Sequence, residues 1–347
     1  MRNCRSTLGW FCDCFVRITF VLAIPHISSA QSPADPWSGN YQHDVGMCNQ
    51  AALDSNTPQR FQPVFGLDVG AIWLSRTTPD SQTLVFDQNG NSLSNANQLK
   101  GSMGDGLDMS LSFFNVFREK PIDFQMRFFQ ASDMTSRQTL TATRVIPLFY
   151  GGVPLNPTNS NDLFYQSQIR SFEANAVFRT PFRLRFLTGF RFFEVDEIYD
   201  IIDNVNSTNG VNVGFFSRAE NTMAGGQVGA EGTLISNDNG RVFGSFKWAF
   251  LGNDAFGAAR AANPGGGLLE EVAKDSISSQ LLDFQLGGSL GLSRRFSIYA
   301  GYQGLVASDL SLALNQNQNA SIFAGTNPVF RSDGQWHGFK VNLVSVW

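Results

Sequence analysis

Beyond residue 60, apolar and polar residues alternate one for one in segments longer than most globular strands. "FGLDVGAIWLS" sets Phe65, Leu67, Val69, Ala71 and Trp73 on one face, with Gly66, Asp68 and Gly70 on the other. "GLDMSLSFF" opposes Leu107, Met109, Leu111 and Phe113 to Asp108, Ser110 and Ser112, and "IDFQMRFF" opposes Ile122, Phe124, Met126 and Phe128 to Asp123, Gln125 and Arg127. "RSFEANAVFR" carries Glu173 on its polar face, "FRLRFLTGFRFF" carries Arg183, Arg185 and Arg191, and "AGGQVGAEGTL" carries Gln227 and Glu231. "VFGSFKWAF" contributes Lys247, "LDFQLGGSLGL" contributes Asp283, and "FSIYAGYQG" and the terminal "WHGFKVNLVSVW" complete a set of ten. A period of two predicts a β-strand in each.

The connections supply the topology. Four are short ("NVFREKP", "RTP", "ISNDNGR" and "SRR") and they alternate without exception with five long ones. Long structureless loops are uncommon in compact soluble sheets. Short turns on one side and long loops on the other are usual in outer-membrane barrels. The prediction is an all-β, transmembrane, antiparallel up-and-down β-barrel of about ten strands, with twelve as the alternative count. Its short turns would be periplasmic and its long loops extracellular. Within the loops, "TLVFDQNGNSL" predicts a small hairpin turning at Asn89-Gly90. "LTATRVIPLFYGG" offers a further strand, where Pro147 argues for an edge or a loop. Residues 253–277, with "NPGGG", read as a flexible loop.

The end of the chain fits the same picture. Phe339, Val341, Leu343 and Trp347 would face lipid while Gly338, Lys340 and Asn342 face inward, with Ser345 the one misfit. Gly338, Phe339, Val341, Leu343 and Trp347 resemble the C-terminal assembly signal of bacterial outer-membrane proteins. That resemblance implies barrel-assembly machinery and outer-membrane lipids as partners.

Composition adds an address. Charged residues are only 16% of the chain, and Phe is over-used with 32 residues. Residues 1–30 read as a signal peptide: Arg2 and Arg5, then "ITFVLAI", then "SSA" ending at Ala30 as the cleavage site. Residues 31–60 form a polar N-terminal leader and 61–347 the barrel. Removing Arg2, Arg5, Arg17 and Asp13 with the signal shifts the formal charge from −4 to −6, and Cys48 is left as a lone thiol. No basic stripe suited to nucleic acid occurs.

The inward faces carry the candidate chemistry. Asp68, Asp108, Asp123, Arg127, Glu173, Arg183, Arg185, Arg191, Glu231, Lys247 and Asp283 would line the lumen. They predict either a water-filled passage that selects small polar solutes or a narrow barrel filled by its own salt bridges. Ten strands lie nearer the filled eight-stranded type than the open sixteen-stranded porins. A third reading, an outer-membrane hydrolase, would have to use His43 or His337. No cofactor, metal or catalytic residue is expected, because no Cys/His cluster, phosphate loop or haem motif is present.

"LTGFRFFEVDE" (Leu187 to Glu197), "GGQVGAEGTL" (Gly225 to Leu234), "AGYQGLVASDLSLA" and the terminal twelve residues together resemble the β-barrel porin family of planctomycete outer membranes. That resemblance spans about residues 60–347. It implies an outer-membrane barrel and brings no substrate or catalytic residue with it.

Overall fold

The structure, a computed structural model, describes residues 64–347 except 78–82, 88, 100, 118–120, 141–145, 148–160, 182, 204–213, 238–239, 263–267 and 315–330. The expected signal peptide, leader, Cys48 and His43 lie outside the described residues.

Thirteen strands occur among the described residues. They are β1 (Phe65–Arg76), β2 (Thr83–Phe86), β3 (Ser92–Asn95), β4 (Gly104–Phe113), β5 (Ile122–Leu140), β6 (Ile146–Pro147) and β7 (Asn161–Arg179), followed by β8 (Leu184–Asp203), β9 (Gly214–Ser236), β10 (Gly240–Ala262), β11 (Leu268–Gly291), β12 (Phe296–Ser311) and β13 (Arg331–Val346). Ten of them close into an antiparallel barrel in the order β1-β13-β12-β11-β10-β9-β8-β7-β5-β4. The seam runs from Gly66 opposite Val346 to Arg76 opposite Trp336. It is extended at its base, where the Trp347 N–H donates to the Phe65 carbonyl at 2.9 Å and the two rings stack at 4.7 Å. The expected strand count and hand-to-hand topology therefore hold.

All four short connections lie at one end, the turn side, together with Val64 and Trp347. At the opposite, loop side, β2, β3 and β6 form a separate small sheet. The expected hairpin is there: Gly90 has φ of 81°, and the Asp87 carboxylate accepts from the backbone N–H groups of Asn89 and Asn91. Ile146–Pro147 pairs with β2 as the sheet's edge, a place that tolerates proline's missing N–H.

One expectation needs correcting. Residues 253–262 and 268–277 are not a loop but two long strand ends, paired from Asn253 opposite Ile277 to Ala262 opposite Leu268. The alternation continues there in small residues, with Asn253, Ala255 and Ala259 buried inside. A search for large apolar residues therefore misses it. β7 and β8 likewise run 19 and 20 residues, well past the apolar segments first recognised.

That extra length has its own pattern. Nearer the turn side, the outer wall is apolar: Leu67, Phe124, Phe186, Phe190, Phe246 and Val341 are all exposed. Aromatic residues collect at its two edges, with Phe65, Phe113, Phe178 and Phe296 below and Trp73, Phe172, Phe250 and Phe339 above, as at membrane interfaces. Above the upper edge the phase inverts. On β8 Phe193, Val195, Tyr199 and Ile201 point inward and are buried, while Glu194, Asp196 and Asp200 point outward. The switch is marked by adjacent apolar pairs whose first or second member crosses the wall. In Phe128-Phe129, Phe192-Phe193, Phe250-Leu251 and Leu281-Leu282 one residue faces out and its neighbour lies in the interior.

Closure depends on close backbone approach. A Cβ placed on Gly338 would lie 1.8 Å from the Trp73 carbonyl oxygen across the seam. Gly338→Val should therefore reduce the folded fraction sharply, read as loss of the heat-modifiable fast-migrating band on unboiled gels. A band of wild-type intensity would show that the seam tolerates a side chain there.

Candidate functional site

The interior is built in layers. The layer at mid-belt is ionic. Arg127 Nε contacts Asp108 Oδ1 at 2.8 Å, Lys340 Nζ contacts Asp108 Oδ2 at 2.9 Å, Lys247 Nζ contacts Glu173 Oε2 at 2.7 Å, and Arg191 Nη1 contacts Asp283 Oδ2 at 3.0 Å. Amides fill some of the remaining valences, while Arg127 Nη1, Glu173 Oε1 and Arg191 Nη2 make no hydrogen bond. Gln227 donates to Glu173 and to Asn175, Arg127 donates to Gln303, and Gln303 donates on to Asp283. Every charged side chain in this layer is at least nine-tenths buried. Four cations face three carboxylates, and Asp68, half-buried on β1, supplies a fourth at the turn-side edge.

Burying charges is tolerable only when each is paired and hydrogen-bonded. Here the pairing also has a mechanical effect, because most partners are not strand neighbours. Arg191 on β8 reaches Asp283 on β11, Lys247 on β10 reaches Glu173 on β7, and Lys340 on β13 reaches Asp108 on β4. The bonds cross the lumen and set its width.

Directly above lies an apolar plug. Ile72, Leu74, Phe129, Ile169, Phe193, Met223, Leu251, Leu281, Leu305, Leu310 and Trp336 form one contiguous buried cluster. Trp336 meets Phe193 edge-on at 6.1 Å and its indole N–H points to Ser167 Oγ at 3.4 Å. The plug and the ionic layer are joined by stacked cations: Arg127 lies 4.9 Å from the Phe129 ring centroid and Arg191 5.6 Å from that of Phe193. Two bulges serve the plug. Register shifts after Ala131 on β5 and after Ala307 on β12, with Asp133 and Asp309 at positive φ, turn Met134 and Leu310 inward.

Above the plug sits a second polar group. Arg76 Nε meets Glu197 Oε1 at 2.5 Å, and the same oxygen accepts from Tyr165 at 2.6 Å. A second apolar cluster caps it, combining Leu84 and Val85 of β2 with Tyr199, Ile201, Phe215 and Leu314.

The eleven expected lumen residues thus separate. Asp108, Arg127, Glu173, Arg191, Lys247 and Asp283 form the ionic layer. Asp68 borders it. Asp123, Arg185 and Glu231 lie at the turn-side mouth, where Arg185 pairs with Glu231 at 2.7 Å and Asp123 with Arg179 at 3.3 Å. Arg183, just before β8 begins at Leu184, sits exposed in the β7–β8 turn at the rim of this mouth. Sequence reasoning missed Arg76, Tyr165, Glu197 and Trp336. Parity alone could have found Glu197, which is on the same face of β8 as Arg191. His337 faces outward beside Tyr302, with ring centroids 6.0 Å apart, on the same face of β13 as Phe339.

No family model matches the chain, and no curated protein does. Solved structures give weak likenesses. The outer-membrane protease OmpT of Escherichia coli is 11% identical, with 85% of this chain and 100% of that chain covered and a TM-score of 0.42. The toluene transporter TbuX of Ralstonia pickettii is 7% identical over 83% of this chain and 90% of its own, with a TM-score of 0.33. The toluene transporter TodX of Pseudomonas putida is 9% identical over 84% and 90%, also at 0.33. At these scores, none of the three supports a statement about this chain's activity.

Glu173 is the hub of the ionic layer, within 3.7 Å of Lys247, Arg191 and Arg127. Glu173→Leu should cost about 3–5 kcal/mol by leaving buried cations unpaired. Arg170→Ala, which removes an exposed outer pair with Glu194, should cost less than about 1 kcal/mol. Denaturant unfolding in micelles would compare them, and equal losses would mean the layer is not what holds the barrel.

Proposed function

We propose that this chain is an exported bacterial outer-membrane barrel whose lumen is closed, serving as an anchored platform that holds its long loop-side wall outside the cell. The observation that carries the reading is the stacking of a paired ionic layer beneath an apolar plug, inside a wall with an apolar outer belt. Lipid would solvate the belt. Each of the ten barrel strands is paired on both sides, so the sheet presents no open edge in the belt, which is the condition for spanning. The planctomycete porin resemblance agrees with the address but not with an open pore.

Closure follows from the energetics of the two layers. A hydrated ion entering from the turn side would first have to displace pairs that are fully enclosed. It would then face a cluster of aromatic and aliphatic side chains, where an unpaired charge costs many kcal/mol. Small polar solutes, the alternative cargo, would meet the same two barriers.

The wild-type protein in planar bilayers should show no discrete conductance, whereas the triple variant Phe129→Ala, Phe193→Ala and Trp336→Ala should leak. Stable unit openings in wild type would return the chain to the porin class. Under the same reading, removal of Trp347 should slow assembly into the outer membrane, measured as protease-resistant barrel in isolated membranes.

A further inference from the structure

Above the apolar belt, β11 loses one of its two neighbours. It pairs with β10 from Leu290 opposite Gly240 to Leu268 opposite Ala262, but with β12 only as far as Gln280 opposite Ser308. Along residues 268–279, no described strand pairs with the β12 side of β11. We propose that this edge takes up an extended segment of a partner protein as an added antiparallel strand. From its N-terminal end the segment reads acidic, any residue, apolar, basic. The proposal rests on the loop side being displayed outside the cell.

The edge is open because β12 turns away from it. Its register shifts between Ala307 and Leu310, Asp309 takes a φ of 57°, and the chain beyond enters the lumen. Leu310, Leu312, Ala313 and Leu314 are fully buried there. Side chains of β9 and β11 hold this course. Ser279 Oγ donates to the Asp309 carbonyl at 3.0 Å, Asn221 to that of Ser311 at 2.6 Å and Ser217 to that of Ala313 at 3.1 Å. β12 therefore cannot return to cap β11 without emptying the plug.

Exposed edges are commonly blunted by proline, a bulge or shortness. Residues 268–279 contain no proline, and the β10–β11 ladder runs through them with no shift of register. Strand addition uses such backbone groups for affinity and alternate side chains for specificity.

The side chains set the order of the partner. Glu270 and Asp275 are already engaged, with Arg260 at 2.9 Å and Arg331 at 3.6 Å. Glu271, on the inner face, makes no ion pair among the described residues, and its Oε2 is buried without a hydrogen-bond partner. Lys274, exposed on the outer face, makes no ion pair among them either, its ammonium lying 5.8 Å from the Phe256 ring centroid. Val272 stands between the two and is 52% exposed. An incoming antiparallel strand meets Lys274 first, Val272 next and Glu271 last. Opposite charges in cross-strand pairs are favourable and like charges are not. Two copies standing side by side in one membrane run β11 in the same direction, so neither can be this antiparallel partner of the other.

The test uses the full chain refolded in neutral detergent and a fluorescent Thr/Val-rich peptide with Glu-Thr-Val-Lys at its centre, read by anisotropy. A second peptide with Lys-Thr-Val-Glu is the comparison. The first should bind at least tenfold more tightly, and amide hydrogen exchange along residues 268–279 should slow when it binds. The double variant Glu271→Lys, Lys274→Glu should reverse the preference. Lys274→Glu alone, at an exposed position, should weaken binding of the first peptide even if the double variant misfolds. No binding, equal affinity for the two peptides, or a preference unmoved by both variants would overturn the proposal. So would amides of residues 268–279 already protected before peptide is added, which would mean that the chain itself or a second copy covers the edge. All of these readings are made in detergent, so they are independent of the bilayer conductance that tests luminal closure.

Discussion

The whole arrangement depends on the seam between β1 and β13. A sheet with two free edges would expose two rows of backbone N–H and C=O groups, each costly to leave bare in an apolar surround. Pairing Phe65 through Arg76 with the last strand removes both edges at once. Only after that closure can the outer wall carry an apolar belt and the inner wall hold charge. Gly338 and Gly70 are at this seam because the strands there approach too closely for a Cβ.

With the ring closed, its interior must be filled, and the chain does so with two kinds of material. Ionic pairs across the lumen hold distant strands at fixed separation. The plug above them gains from burial, roughly 1.5–3 kcal/mol for each large apolar side chain. Neither layer would be as effective alone. Unsupported charges would draw in water, and an apolar filling could slide between registers. The arginine–phenylalanine contacts tie the layers together.

Much of this was legible in the residue pattern. The period of two, the alternation of short and long links and the aromatic terminus led to ten antiparallel strands with the correct inner and outer faces. The hairpin at Asn89-Gly90 was also readable, because its turn chemistry is local. Two things were not. The strand ends at 253–262 and 268–277 carry mostly small residues such as Asn253, Ala255 and Ala259 inside, with Ile277 the one large buried aliphatic, so the apolar signal there is weak. Whether the lumen was open or filled could not be read either, since it depends on side chains from non-neighbouring strands meeting, as Arg191 meets Asp283. The doublets such as Phe192-Phe193 held a clue: an apolar residue facing in beside one facing out marks where the filling begins.

The barrel wall is of uneven height. β4 has 10 residues and β1 has 12, whereas β9, β10 and β11 have 23, 23 and 24. Backbone ladders of such different lengths divide the ring into a robust flank and a frail one. Thermal or mechanical stress would concentrate on the β1–β4–β5 side, where fewest rungs must part, making that short flank the natural hinge line of the cylinder.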